Sequence, residues 1–403
     1  MQSVGDPASG LIAQPVRSLL RQWGESPAAI AAFMAVMALP WSLKPLLALL
    51  ADFVPLFGSR RRNYLIAATA VAALGLTVLY ASPILPGERW LLLTLLFLPT
   101  LAIAFGDVLA DALMIEIGQP RGLTGRLQAV QWFAAYAALL LSGVLGGYLA
   151  AIGQHDLAFL FCAILWAFTL ILTVLFVRER RSPVTHQSVR AAASALRAAL
   201  AVPGLATICA ITFIWDFNPL WVSVLYLHVT DTLGMSEQVY GNGYSLFSAG
   251  AMAASLAYGV YCRRVRTAVL LHACIVAGIV ANVLYWSIDI AASLYTAFLL
   301  AGFAYMTGSL ILLDLAARLV PVPVAATVFA LIMALANLGS SLAEALGGYL
   351  VQALATRFEP SAAYQIIVAI SASIVASCWL WLPRLHREVP DWWSVAQRAS
   401  RGP

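Results

Sequence analysis

Eleven separate stretches of this chain run for about 20 residues or more with almost no charge, and a bilayer span needs about 20 apolar residues. They lie at roughly 28–51, 64–85, 90–117, 126–152, 157–177, 203–228, 238–262, 267–287, 293–317, 325–354 and 363–383. Only 10% of the 403 residues are charged, against about 25% in soluble domains. An all-α membrane protein follows. The net charge of +5 signals no nucleic-acid affinity, because the arginines sit in short loops between spans. Five cysteines fall within or at the ends of apolar runs with no CxxC spacing, which reads as packing rather than disulfides or metal ligands. Residues 1–9 are polar, so no cleavable signal peptide is expected.

A twelfth span at about 8–23 is short and carries Arg17 and Arg21. It reads either as the outer part of a helix that begins upstream of Met1 or as a genuinely shortened first helix. Counting basic residues orients the whole. Eighteen arginines fall in alternate loops, among them Arg60–Arg62, Arg121, Arg126 and Arg318, while the opposite side holds Arg17, Arg21, Arg89 and Arg357. Basic loops stay in the cytoplasm, so both termini are expected there, in an inner (plasma) membrane of bacterial type.

The chain also repeats. LGGYL occurs at 145–149 and again at 346–350, and at the same offset Arg62 falls on Arg263. Two pseudo-symmetric six-helix bundles, the first helix short or truncated, describe the major facilitator architecture. The expected divisions are an N-terminal bundle at 1–177, a cytoplasmic basic linker at 178–199, a C-terminal bundle at 200–384 and a cytoplasmic tail at 385–403.

Charges inside apolar runs are costly, about 2.5–3.5 kcal/mol each on insertion scales, and mark candidate sites. Lys44 sits in the second span. Asp107 and Asp111, one turn apart on the fourth, share a face, and depth counting brings Lys44 level with them. A Lys44 pair with Asp107 or Asp111 is expected, either as a structural clamp or as a proton-carrying network. Asp314 and Glu344 are further membrane carboxylates assigned to that network. Asp52 ends the second span before Arg60, Arg61 and Arg62; with Glu116 at the inner end of the fourth, it reads as a gating loop. In the seventh span, FIWDFNP (213–219) puts Asp216 among Trp215 and Phe217, with Asn218 and a kinking Pro219 following. A carboxylate among aromatic rings suits a flat heterocycle: rings stack on its faces while the acid accepts paired N–H donors. Gln131, Trp132 and Asn337 join these as substrate-binding candidates. No metal spacing, catalytic triad or phosphate-cradling loop appears, so neither an enzyme nor a cofactor is expected.

PWSLKPLLALLADFVPLFGSRRRNYL (40–65) resembles the second helix and following loop of the folate–biopterin transporter family, a branch of the major facilitator superfamily. The resemblance continues at GDVLADALMIE (106–116), FIWDFNP and AARLVPVPVAATVFALIMALANLG (316–339). It implies twelve helices and secondary active transport of folates or related pteridines, coupled to protons. By position, Lys44, Asp52, Arg60, Arg61, Asp107, Asp111 and Glu116 match the family's charged motif. Muropeptide and acetyl-coenzyme-A permeases share part of this wording and are the alternative in substrate. A transport-inactive assembly or sensor protein is the alternative in class. The expected partners are a small molecule and the lipid bilayer, the protein acting as a monomer.

Overall fold

The apolar runs form helices, and prolines decide where two of them break. A computed structural model describes residues 5, 10–25, 27–82, 84–179, 194, 197–198, 201–220, 223–262 and 264–389. Most of the expected linker and tail, together with Arg263, lie outside the described residues.

Two compact units result: Met1–Glu116, Ala134–Arg197 and Pro321–Leu331 form unit 1, and Ile117–Phe133, Ala198–Val320 and Ile332–Pro403 form unit 2. Unit 1 carries α1 (Ala13–Gln22), α2 (Pro27–Ser42), α3 (Lys44–Phe53), α4 (Arg62–Ala81), nearly all of α5 (Arg89–Gly118) and α7 (His155–Phe176). Unit 2 carries α8 (Leu205–Asp216), α9 (Ser223–Leu227), α10 (Glu237–Tyr261), α11 (Thr267–Leu284), α12 (Ala291–Leu319), α14 (Pro360–Ser377) and α15 (Leu382–Glu388). Helices α6 (Thr124–Ala151) and α13 (Ala325–Ala355) give their first turns to one unit and the remainder to the other.

Eight described helices are long and apolar enough to cross a bilayer. The expected span at 28–51 is two helices, because Pro45 has no N–H to donate and α3 restarts there after Leu43. Lys44 therefore opens α3 instead of sitting inside a continuous helix. The span at 203–228 breaks too: α8 stops at Asp216, and after Pro219 the chain resumes as α9, ending in a π turn at His228–Thr232. Helix α10 has 25 residues, but its Gly, Asn, Ser and Tyr make it less apolar than the others. The short first helix is ten residues long, with Val16 and Leu20 buried and Arg17 and Arg21 exposed.

In lipid, helix association rests on close packing rather than on removal from water. Unit 1 packs α4 against α7 around Leu76, Leu92, Phe159 and Trp166. Unit 2 packs α10 against α12 through reciprocal notches: a Cβ on Gly250 would lie 2.1 Å from the Leu299 carbonyl oxygen, and one on Gly302 would lie 2.0 Å from that of Phe247. Only glycine permits backbones so close. These two scaffolds position the polar groups.

Candidate functional site

In unit 1, the restart of α3 aims Lys44 across to α5. Its Nζ donates to Asp107 Oδ2 at 2.6 Å and sits 4.5 Å from the Trp41 ring centroid. Both side chains of the ion pair are only 8% exposed. Of the two expected partners, Asp107 is the one that Lys44 reaches at 2.6 Å, and Asp111 is buried one turn further on. Burying two charges costs several kcal/mol each, and the pair persists because each neutralises the other.

At the end of α3, Asp52 is fully buried and has both oxygens engaged. Its Oδ1 accepts from Arg61 at 2.5 Å; its Oδ2 accepts from the Thr327 backbone N–H at 2.8 Å and hydroxyl at 2.7 Å. Arg61, 1% exposed, also donates to Glu116 Oε1 at 2.8 Å. Burial acts to lower the Arg61 pKa, but the Asp52 and Glu116 carboxylates outweigh it and raise the value. The three arginines thus divide. Arg61 joins the acids, while Arg62 turns its guanidinium to the Val177 and Val174 carbonyls at 2.8 and 3.2 Å. The Arg60 Nε is buried with no hydrogen-bond partner among the described residues. Glu179, which the sequence reading passed over, accepts from the backbone N–H groups of Arg60, Arg61 and Arg62 at 2.9, 3.0 and 2.9 Å, and from the Ser59 hydroxyl at 2.5 Å. The sequence did hold a signal: one acid standing within RERR.

In unit 2, the break after α8 exposes the end of that helix to a cavity of about 90 Å³. Asp216, Trp215, Trp132 and Asn337 line it, as do Thr212, Tyr305, Ser309 and Ser340. Tyr305 Oη donates to Asp216 Oδ1 at 2.8 Å, and no described residue bonds Oδ2. Trp215 is wedged more tightly than a free stacking platform. Its Nε1 donates to Ser309 at 3.2 Å, and its ring fills the space beside Gly308 and Gly278, where Cβ atoms would come within 2.2 and 3.0 Å of it. Phe217, Asn218 and Gln131 are not part of the lining. Phe217 packs on Phe213, ring centroids 5.7 Å apart. Asn218 holds the helix break: its Nδ2 donates to Asn282 Oδ1 and its Oδ1 accepts from the Leu220 N–H, both at 3.1 Å. Glu344 is exposed and also absent from the lining. Tyr305 and Ser309 escaped sequence reasoning because a Tyr or Ser in an apolar helix is too common to stand out.

Asp314 belongs to a different cluster. It is 2% exposed, ion-paired with Arg318, and accepts from the Thr124 hydroxyl at 2.5 Å and the Tyr258 hydroxyl at 3.0 Å. Beside it, Gln119 Nε2 reaches the carbonyls of Ala317, Arg318 and Val320 at 3.3, 3.0 and 2.9 Å.

The BT1 family model matches residues 9–392 of the chain. The protein belongs to the BT1 family. A relative called folate-biopterin transporter, from Synechocystis sp., is 29% identical over 402 residues, covering 91% of this chain and 77% of its own. Folate transporter 1 of Plasmodium falciparum is 22% identical over 377 residues, covering 90% and 74%. Among solved structures, the human organic anion transporter MFSD10 superposes with TM-score 0.70 at 17% identity, covering 94% of this chain and 97% of that one. The proton:xylose symporter XylE superposes at 0.66 with 15% identity, covering 97% and 96%. At such identities the structural likeness carries the fold alone, that of the major facilitator superfamily. This BT1 protein is accordingly a multi-pass membrane transporter and not an enzyme.

Proposed function

We propose that this transporter moves a folate- or pteridine-like small molecule through an inner membrane by proton-coupled alternating access. The names of the Synechocystis and Plasmodium relatives support the substrate class. The observation that carries the site is the Asp216 carboxylate, its Oδ1 held by Tyr305, lining a cavity that also presents Trp132 and Asn337. An aminopyrimidinone edge offers adjacent N–H donors that a carboxylate accepts in pairs, each charge-assisted. The Trp132 indole supplies a ring face. At about 90 Å³ the cavity is far below the roughly 300 Å³ of an ordinary ligand pocket, so a bicyclic heterocycle enters after it widens.

Coupling falls to Asp107 and Lys44. Protonating Asp107 releases the Lys44 ammonium, and an ammonium without its counter-ion in a low-dielectric span must move toward another anion or toward water. Asp52, Arg61, Glu116 and Thr327 form the inner latch, for α13 leaves α3 only when Asp52 lets go of Thr327.

Uptake of radiolabelled folate and biopterin into proteoliposomes tests this reading. Asp216→Asn, which keeps the shape and removes one strong acceptor, is expected to lower uptake at least tenfold with normal membrane incorporation. Uptake at the unsubstituted rate would overturn it.

A further inference from the structure

We infer that Glu179, the first acid after α7, is the positioning residue of the inner latch, linking the start of the 178–199 segment to the N-terminus of α13. The inference rests on the reading of Asp52 and Thr327 as that latch.

Four donors converge on this one carboxylate: three successive backbone N–H groups, from Arg60 to Arg62, and the Ser59 hydroxyl. Successive N–H groups turned to one side make an anion cradle. Here the anion is the protein's own, from 117 to 120 residues further along the chain. The loop is also held by Asn63, which donates from Nδ2 to the Leu56 carbonyl at 2.9 Å and from its N–H to Ser59 Oγ at 3.1 Å. Tyr64 Oη adds a bond to the Val54 carbonyl at 2.8 Å, but none of these satisfies the N–H groups of Arg60 to Arg62. Phe57 and Gly58 both take left-handed conformations, at φ 51° and 78°, and the Phe57 side chain is 87% exposed. Leu56 and Ser59 close the turn with reciprocal bonds of 2.8 and 3.0 Å. That closure leaves the next three N–H groups facing outward, at the head of α4, where no intrahelical acceptor exists for them. Glu179 supplies the acceptor.

Arg61 is thereby gripped at both ends, its backbone by Glu179 and its guanidinium by Asp52 and Glu116. Asp52 gives Oδ1 to Arg61 and Oδ2 to Thr327. Thr327 is the third residue of α13, so its N–H has no partner within the helix and depends on Asp52. Three contacts in series therefore connect Glu179 to one backbone amide: Glu179 to Arg61, Arg61 to Asp52, Asp52 to Thr327. Displacing the segment that begins at 178 loosens the loop and, through it, the grip on α13.

The Thr327 amide is its own reporter. Hydrogen–deuterium exchange of purified full-length protein, followed in a peptide covering 325–331, reads the relay with no substrate present. Glu179→Gln is expected to speed exchange at Thr327 about tenfold, Asp52→Ala at least as much, and the double variant no more than Asp52→Ala alone. Glu179→Asp, which keeps the charge, is expected to retain most of the protection. Ser59→Ala, which removes one donor of four, is expected to lose about twofold. Unchanged exchange in Glu179→Gln beside fast exchange in Asp52→Ala would overturn the relay, as would additive effects in the double variant. Equal acceleration across α7 and α11 would also overturn it, since that is general loosening. Slow exchange in Asp52→Ala would instead remove the latch reading itself, and normal uptake by Asp216→Asn would remove the substrate site while leaving the relay standing.

Discussion

Lys44 and Asp107 are each 8% exposed and 2.6 Å apart, which makes the pair a test of what a charge inside a span is for. Removing one member leaves a buried charge uncompensated, a loss of about 3–5 kcal/mol, whereas removing both often costs little. Lys44→Met and Asp107→Asn are expected each to lower the melting temperature of the detergent-solubilised protein, and the double variant to regain most of it. If the pair also carries the coupled proton, the double variant regains stability but not accumulation in proteoliposomes. Glu179 offers a second test, by pH. Burial acts to raise its pKa, but the N–H of Arg62, the Ser59 hydroxyl and the N–H groups of Arg60 and Arg61 together outweigh burial and lower the value below the ordinary 4.5. Its stabilising contribution is then complete above the unfolded value and fades as pH falls through the lower folded one. Melting temperature against pH should accordingly fall less steeply on the acid side in Glu179→Gln than in the unsubstituted protein. Asp107 and Lys44 were legible as charges among apolar residues, whereas Glu179, standing among arginines, was not. The pairing of Asp107 with Lys44 was legible too, by depth. The hydroxyl partners of the other acids were not, because nothing in the sequence distinguishes Thr327, Tyr305 or Thr124 from any other hydroxyl.

The helix breaks carry the sites. Pro45 was visible as a lysine-following proline, and Pro219 as a kink; the structure makes the first a one-residue break at Leu43 and the second a full interruption. At the second, the Asn218–Asn282 bond and the bond from the Leu220 N–H to Ser371 Oγ, both 3.1 Å, satisfy groups that the missing helical turn frees. Asn218, expected to face substrate, bonds Asn282 and the Leu220 N–H at this break. Asn218→Ala is therefore expected to reduce uptake through lost geometry at Asp216, an effect that Asn282→Ala should share and not add to. Elsewhere contact distance alone decides. Gly250→Val places branched carbon against the Leu299 carbonyl, where even a Cβ would lie at 2.1 Å. The α10–α12 crossing must separate to admit it, and size-exclusion chromatography of the variant should show little monodisperse protein.

At the scale of the molecule, eighteen arginines against four set the orientation expected from the sequence. A reporter that fluoresces only in the cytoplasm should light when fused after residue 403 and stay dark when inserted at Gly87, in the turn before α5. Bilayer residence, the helical class, the repeat and the locations of the buried charges were all present in the linear text, because apolar length, charge bias and residue spacing are local properties. Pairing was not. That Arg61, of three neighbouring arginines, bridges Asp52 and Glu116, that Asp314 closes on Thr124, and that Glu179 fills a cradle made by residues more than a hundred positions earlier depend on chain segments meeting in space. The cost of leaving a buried charge or amide unsatisfied selects those partners, and it acts only once the fold has excluded water and brought the candidates within reach.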